Sequence, residues 1–177
     1  MAQTFLPIAS TVLTSNQTTI TFSSISQSYT DLVLRITCRS VGAGTGYTGA
    51  VGLRLNGVST GSYWRGLIIG DGGGGSATSQ GSSSSYLVPF AQTISGGNPA
   101  NTFTRMEIIF PNYATSAPKP ALGWASTVAG NTATSYDTFS PMYLDSSIAI
   151  NSIAISEISG DTFAAGSRFD LYQITKI

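Results

Sequence analysis

Hydrophobic and polar positions alternate with period two along most of the chain, most plainly between Tyr29 and Asn56. Leu32, Leu34, Ile36 and Cys38 fall on one face of an extended segment, and Val33, Arg35, Thr37 and Arg39 fall on the other. This predicts a half-buried strand. After a glycine-rich passage from Val41 to Gly46, Val51, Leu53 and Leu55 alternate with Gly52, Arg54 and Asn56, and Asn56-Gly57 marks a tight turn. The same alternation puts Ile20 and Phe22 inward, sets Met106, Ile108 and Phe110 against Arg105, Glu107 and Ile109, and sets Phe169 and Leu171 against Asp170 and Tyr172. Ser62 to Ile69 is apolar on both faces, as in a covered strand, which places Trp64 in the core. Tyr86 to Phe90 reads as a short strand. Ile148 and Ile150 are out of phase with Ile153 and Ile155, a slip that a β-bulge at Asn151-Ser152 would absorb. Helical spacing is missing throughout. About eight to ten antiparallel strands joined by short turns predict an all-β chain, a β-sandwich or jelly roll.

The segments between strands set the organisation. Met1 to Ser10 is mildly apolar around Pro7 and reads either as an N-terminal arm that docks on a neighbouring subunit or as an edge strand. Residues 11–177 then form a single domain, consistent with the length of the chain. Gly70 to Ser85 is almost entirely Gly, Ser, Thr and Ala and predicts a long surface loop. No Lys-Ser/Thr pair or helix follows its four glycines, so a phosphate cradle is not expected. Pro118 and Pro120 interrupt the chain before Leu122 and Trp124, and Gly130 to Ser140 reads as a polar loop.

Charge changes this picture. Charged residues make up only 9% of the chain, eight basic against eight acidic, where ordinary globular domains carry roughly a quarter. A surface so poor in charge suits a subunit largely covered by others. No basic residue lies beside another, so nucleic-acid binding is not expected. The chain has no histidine, which removes the commonest general base and zinc ligand. Its carboxylates are scattered singly; a hydrolase would need two brought together by folding, for instance Asp71 and Asp137. Calcium-loop spacing is absent, so neither metal nor cofactor is expected, and the chain is read as non-enzymatic. The single cysteine, Cys38, is expected as a buried small hydrophobe. With neither a signal peptide nor a membrane span, folding in a cytoplasm is expected.

Aromatic and apolar residues in polar surroundings are the candidate contact points. Phe5, Leu6 and Ile8 lie in the first segment, Tyr47 follows the glycine-rich passage, and Tyr136 and Phe139 lie in the stretch read as a loop. Trp124 and Tyr113 flank the proline segment and stay open between core and surface.

Three stretches carry a resemblance. Ser28-Tyr29-Thr30-Asp31-Leu32-Val33-Leu34, Leu53-Arg54-Leu55-Asn56-Gly57 and Ala165-Gly166-Ser167-Arg168-Phe169-Asp170-Leu171-Tyr172-Gln173-Ile174 resemble, in order and rough spacing, small jelly-roll virion proteins of tailed phages of the cyanophage and marine type. The likeness runs from about Thr11 to Ile177, with free variation in the loops. It implies a structural protein of the particle exterior, first a capsid decoration (cement) protein that binds the major capsid protein and copies of itself as a trimer or dimer. A tail-fibre, adaptor or receptor-binding module recognising host-surface glycan is the alternative. Either role implies a virion component assembled in the host cytoplasm.

Overall fold

The computed structural model describes residues 3–44, 47–60, 62–70, 76–78, 85–128 and 135–176, and every element in them is β. The strands are β1 (Gln3–Val12), β2 (Thr19–Phe22), β3 (Asp31–Cys38), β4 (Tyr47–Leu55), β5 (Tyr63–Arg65), β6 (Leu67–Gly70), β7 (Ser76–Thr78), β8 (Leu87–Ile94), β9 (Thr104–Pro111), β10 (Lys119–Val128), β11 (Ser135–Leu144), β12 (Ile153–Glu157) and β13 (Arg168–Lys176). A nine-stranded sheet runs β1-β13-β3-β9-β10-β11-β6-β7, with β5 also paired to β11. A four-stranded sheet runs β2-β12-β4-β8. The two close on one core as a β-sandwich, and all pairings are antiparallel.

The period-two pattern explains which faces meet. Leu32, Leu34, Ile36 and Cys38 of β3, Met106, Ile108 and Phe110 of β9, and Phe169 and Leu171 of β13 face Ile20, Phe22, Val51, Leu53, Leu55, Ile153 and Ile155 of the smaller sheet, all buried. Burial removes apolar surface worth about 2 kcal/mol per large side chain. Cys38 lies wholly inside, where burial raises its thiol above the usual range and keeps it unreactive.

Several expectations need correcting. The described residues hold thirteen strands where about eight to ten were expected; one of the additional strands arises because Gly66 splits the Ser62 to Ile69 run into β5 and β6, both paired to β11. Inside the stretch read as a continuous loop, Ser76–Thr78 forms β7 against β6; residues 71–75 and 79–84 lie outside the described part. The strand β10 begins at Lys119, between the two prolines, with Pro120 exposed and opposite Tyr143 of β11. Of the two readings of Met1 to Ser10, the edge strand is the one present: Gln3–Val12 is the outer edge strand β1 on β13, its register shifting between Pro7 and Ala9.

The out-of-phase isoleucines are not joined by a bulge. Residues 148–152 are a connection before β12, exposing Ile148 and burying Ile150. Asn56 holds that connection: its Oδ1 accepts the N–H groups of Asn151 (2.8 Å) and Ser152 (3.1 Å), and its Nδ2 donates to the carbonyl of Ala149 (2.8 Å). Asn56 and Gly57 both have positive φ, 53° and 69°, and Val58 N–H reaches Leu55 O at 3.0 Å, the geometry of a type I′ turn. Asn56→Ala is expected to cost about 2 to 3 kcal/mol, from two stranded N–H groups and a strained φ. A urea midpoint equal to that of the parent chain would show that the clamp contributes nothing.

Candidate functional site

At one corner of the larger sheet the usual polarity of a strand is inverted. On β10 the inward positions are Ala121, Gly123, Ala125 and Thr127, and on β11 they are Thr138, Ser140, Met142 and Leu144, all buried. All of these are small except Met142 and Leu144, which suits the approach of β8 of the other sheet to both strands. Thr104 Oγ1 accepts Ile94 N–H at 3.0 Å and donates to Thr127 Oγ1 at 2.8 Å, tying the two sheets together. The large side chains consequently point outward.

The ladder registers order these outward residues into rows. One row crosses the sheet as Glu107, Trp124, Phe139, Ile68. The next is Ile109, Leu122, Pro141, with Gly66 N–H on the carbonyl of Pro141. A third is Pro120, Tyr143, Trp64. Trp124 is 41% exposed, Phe139 42%, Tyr143 41% and Ile68 53%. Apart from the boundary Glu107, no position in these rows is charged. Exposed large apolar side chains scattered singly are ordinary, but contiguous ones mark a contact surface.

The patch has relief. The rings of Trp64 and Tyr143 are parallel within 5° at 6.0 Å between centroids. With Arg65, Gly66, Pro141 and Met142 they line a hollow of about 320 Å³. Gly66 keeps it open, since a Cβ there would stand 3.1 Å from the Pro141 ring. Partial burial lowers the Arg65 guanidinium below its usual range.

On the other half of the same face the outward residues are charged and paired. Arg35 bonds Glu107 at 2.5 Å, which raises the Arg35 pKa, and its guanidinium lies over the rings of Tyr172 and Phe5 at 5.1 and 5.3 Å. Arg168 and Ser10 bond Asp170 at 2.7 and 2.5 Å. Partial burial alone would raise the Asp170 pKa, but these two bonds outweigh it and the carboxyl ends below its ordinary value. Among the described residues, no three of His, Cys, Asp and Glu come together as a metal would require.

The candidate contact residues are distributed as follows. Phe139 sits at the centre of the apolar patch. Phe5 and Leu6 are exposed on β1, and Ile8 is half-buried against the core. Five strand spacings, roughly 24 Å, separate β1 from β11, so the first segment and Phe139 do not form one cluster. The backbones of Tyr47 and Tyr136 lie in β4 and β11, while their side chains fall outside the described part. Phe139 and Tyr136 are therefore on a strand, not on the loop read from Gly130 to Ser140. Trp64 is half-buried on the surface rather than in the core. Tyr113 resolves the other way, fully buried with its hydroxyl donating to the carbonyl of Ser26. Of the other patch residues, the sequence leaves Trp124 open between core and surface, reads Ile68 as part of a covered strand, and marks Pro141 and Tyr143 only by their alternation with Ser140 and Met142. Asp137 is exposed on β11, and Asp71 lies outside the described residues.

No family model matches the chain, and no curated protein matches it. Among solved structures, the carbohydrate recognition domain of Emp47p aligns at 11% identity and a TM-score of 0.28, covering 97% of this chain and 87% of that one. Botulinum neurotoxin type C, whose cell entry depends on interaction with two ganglioside molecules, aligns at 9% identity and a TM-score of 0.26, covering 93% and 42%. Likeness this weak carries no inference about fold or ligand.

Proposed function

We propose that this chain is a non-enzymatic structural subunit of a phage particle, in first place a capsid decoration protein that stabilises the head by binding across shell subunits. The observation that carries this reading is the uncharged aromatic face of β10, β11, β5 and β6 on a chain that is itself poor in charge. Such a face is stabilised by burial against another protein, and repeated modest contacts across a shell add to a firm attachment.

The ionisable groups support the same reading, because many are engaged inside the fold. Asp31 accepts the N–H of Asn112, Glu107 pairs with Arg35, Glu157 and Asp161 accept backbone N–H groups, and Asp170 pairs with Arg168. The resemblance of the Tyr29 to Leu34 and Gly166 to Ile174 segments to tailed-phage virion proteins supplies the particle.

A second reading is favoured by one feature. Parallel Trp64 and Tyr143 rings beside a hollow suit the apolar face of a pyranose, as a receptor-binding tail-fibre or adaptor module would require.

Localisation in the intact particle by cryo-electron microscopy separates the two. Copies at regular junctions over the shell are the expected result. Copies confined to the tail would reject the decoration role and make titration with host-surface glycans the next measurement.

A further inference from the structure

The apolar corner of the larger sheet has a shape that fits itself. Its first row, Trp124-Phe139-Ile68, forms a ridge of exposed side chains. Its third row borders the hollow that Trp64 and Tyr143 line together with Gly66 and Pro141, open because Gly66 has no side chain. Ridge and hollow lie on the same strands, two to four residues apart along β11, or roughly 7 to 13 Å. We infer that this face is a two-fold self-association surface whose occupant is a second copy of the same chain, an inference that rests on the assembly reading above.

The symmetry follows from the grid. In a face-to-face pair the two-fold axis lies in the plane between the sheets. If it runs across the strands above Pro141, rotation reverses the direction along β11 and keeps the position across it. Phe139 of one copy then lies over Tyr143 of the other, Ile68 over Trp64, Trp124 over Pro120, and Pro141 over Pro141. Each ridge enters the other copy's hollow, so the contact closes at two subunits and offers no surface for further growth.

Charge does not oppose this occupant. Under that axis the other half of the face lies over the same half of the second copy, and there Glu107 with Arg35 and Asp170 with Arg168 are already paired within each copy. The polar row of Arg105, Ser126 and Asp137 rims the patch at the other end. Area sets the strength. Exposed apolar surface here is on the order of 400 to 500 Å² per copy, near the upper range for a lone monomer. Two copies with part of the rim bury roughly 1,000 to 1,200 Å², the low end of specific interfaces, so a weak, concentration-dependent association is expected.

Sedimentation velocity of the full chain from about 1 to 500 µM is the test. A monomer-dimer equilibrium in that range is expected, with Phe139→Glu and Tyr143→Glu each weakening it at least about tenfold while thermal unfolding stays unchanged, and with Thr21→Glu, on the outer face of the smaller sheet, leaving it intact. A second readout uses Pro141→Cys. A bismaleimide of about 10 Å reach, the spacing of stacked sheets, should link its dimers covalently. The equivalent Thr21→Cys protein should stay unlinked, because Cys38 is buried and does not react. A monomer at every concentration, a trimer, or a dimer indifferent to Phe139→Glu would overturn the inference; a monomer would leave the face to a shell protein or a sugar. Failure here is separable from failure of the decoration role. A dimer absent from the particle sinks only the role, and a monomer seated on the shell sinks only the two-fold contact.

Discussion

Replacing Glu157 by alanine is expected to lower the free energy of unfolding by about 4 kcal/mol, because it strands several buried donors at once. Glu157 ends β12 and is 3% exposed. Its carboxylate accepts the N–H groups of Ala50 (2.9 Å), Ser159 (3.0 Å) and Asp161 (2.9 Å), together with the hydroxyls of Ser40 (3.3 Å) and Ser159. Those donors are supplied by β4, by the residue after β3 that Arg39 precedes, and by the turn that follows β12. One side chain therefore fixes three separate segments. Water cannot simply replace it, since the site is closed on one side by Gly49, where even a Cβ would fall 1.9 Å from Ser40 Oγ and 2.0 Å from Thr93 Oγ1. Glu157→Gln keeps one acceptor and turns an N–H₂ toward other donors, so about half the loss is expected. Chemical denaturation measures both variants, and hydrogen exchange should show faster opening confined first to residues 158–166. Equal stability of the parent and the alanine variant would refute the account.

For the long strands, what was legible in the sequence and what was not divide along one physical line. Leu32 to Cys38, Met106 to Phe110 and Phe169 to Leu171 bury their large residues between the sheets, so apolar alternation located both the strands and their inward faces. Strands β10 and β11 obey the same geometry with the sign reversed. Close approach of β8 requires Ala, Gly, Ser and Thr inward, which sends Trp124, Phe139 and Tyr143 outward. A rule that equates large apolar residues with the interior reads such a strand as a loop or assigns its aromatics to the core. That is why Phe139 was placed on a loop and Trp64 inside. Short strands failed for another reason: β5, β6 and β7 have three or four residues each, fewer than a periodic pattern needs to show itself. The candidate face was therefore visible in the sequence only as Phe139 and the undecided Trp124, and its other members required the ladder registers.

The polar interior was the least legible part, and it makes the second large effect. Arg39 follows the last residue of β3, where alternation would put it on the outer face, yet it is 9% exposed. Its Nη1 donates to the carbonyls of Pro99 (2.6 Å) and Thr102 (3.4 Å), and its Nη2 to those of Gly96 (2.7 Å) and Asn98 (2.6 Å). The guanidinium thus serves as the core of the connection between β8 and β9, and its planar fork reaches four acceptors at once. Arg39→Met fills much of the volume but leaves those carbonyls facing a thioether. A loss of about 3 to 5 kcal/mol is expected, or a fall in Tm on the order of 10 °C for a chain of this size. Arg39→Lys should lie between, since an ammonium supplies three donors without the fork. A Tm within a degree or two of the parent would show that the connection holds itself. The same connection presses Gly96 and Gly97 against residues 41–44, where added Cβ atoms would lie 2.3 and 2.6 Å from the carbonyls of Val41 and Gly44. Those residues are in turn tied to Asp161, whose carboxylate accepts Gly42 N–H, and Asp161 N–H bonds Glu157. Arg39 and Glu157 therefore hold opposite ends of one contiguous structure. Losing either loosens part of what the other supports, so the double variant is expected to cost less than the sum of the two single ones by at least about 1 kcal/mol. Strict additivity in that cycle would mean that two independent clamps, rather than one network, hold this end of the sandwich.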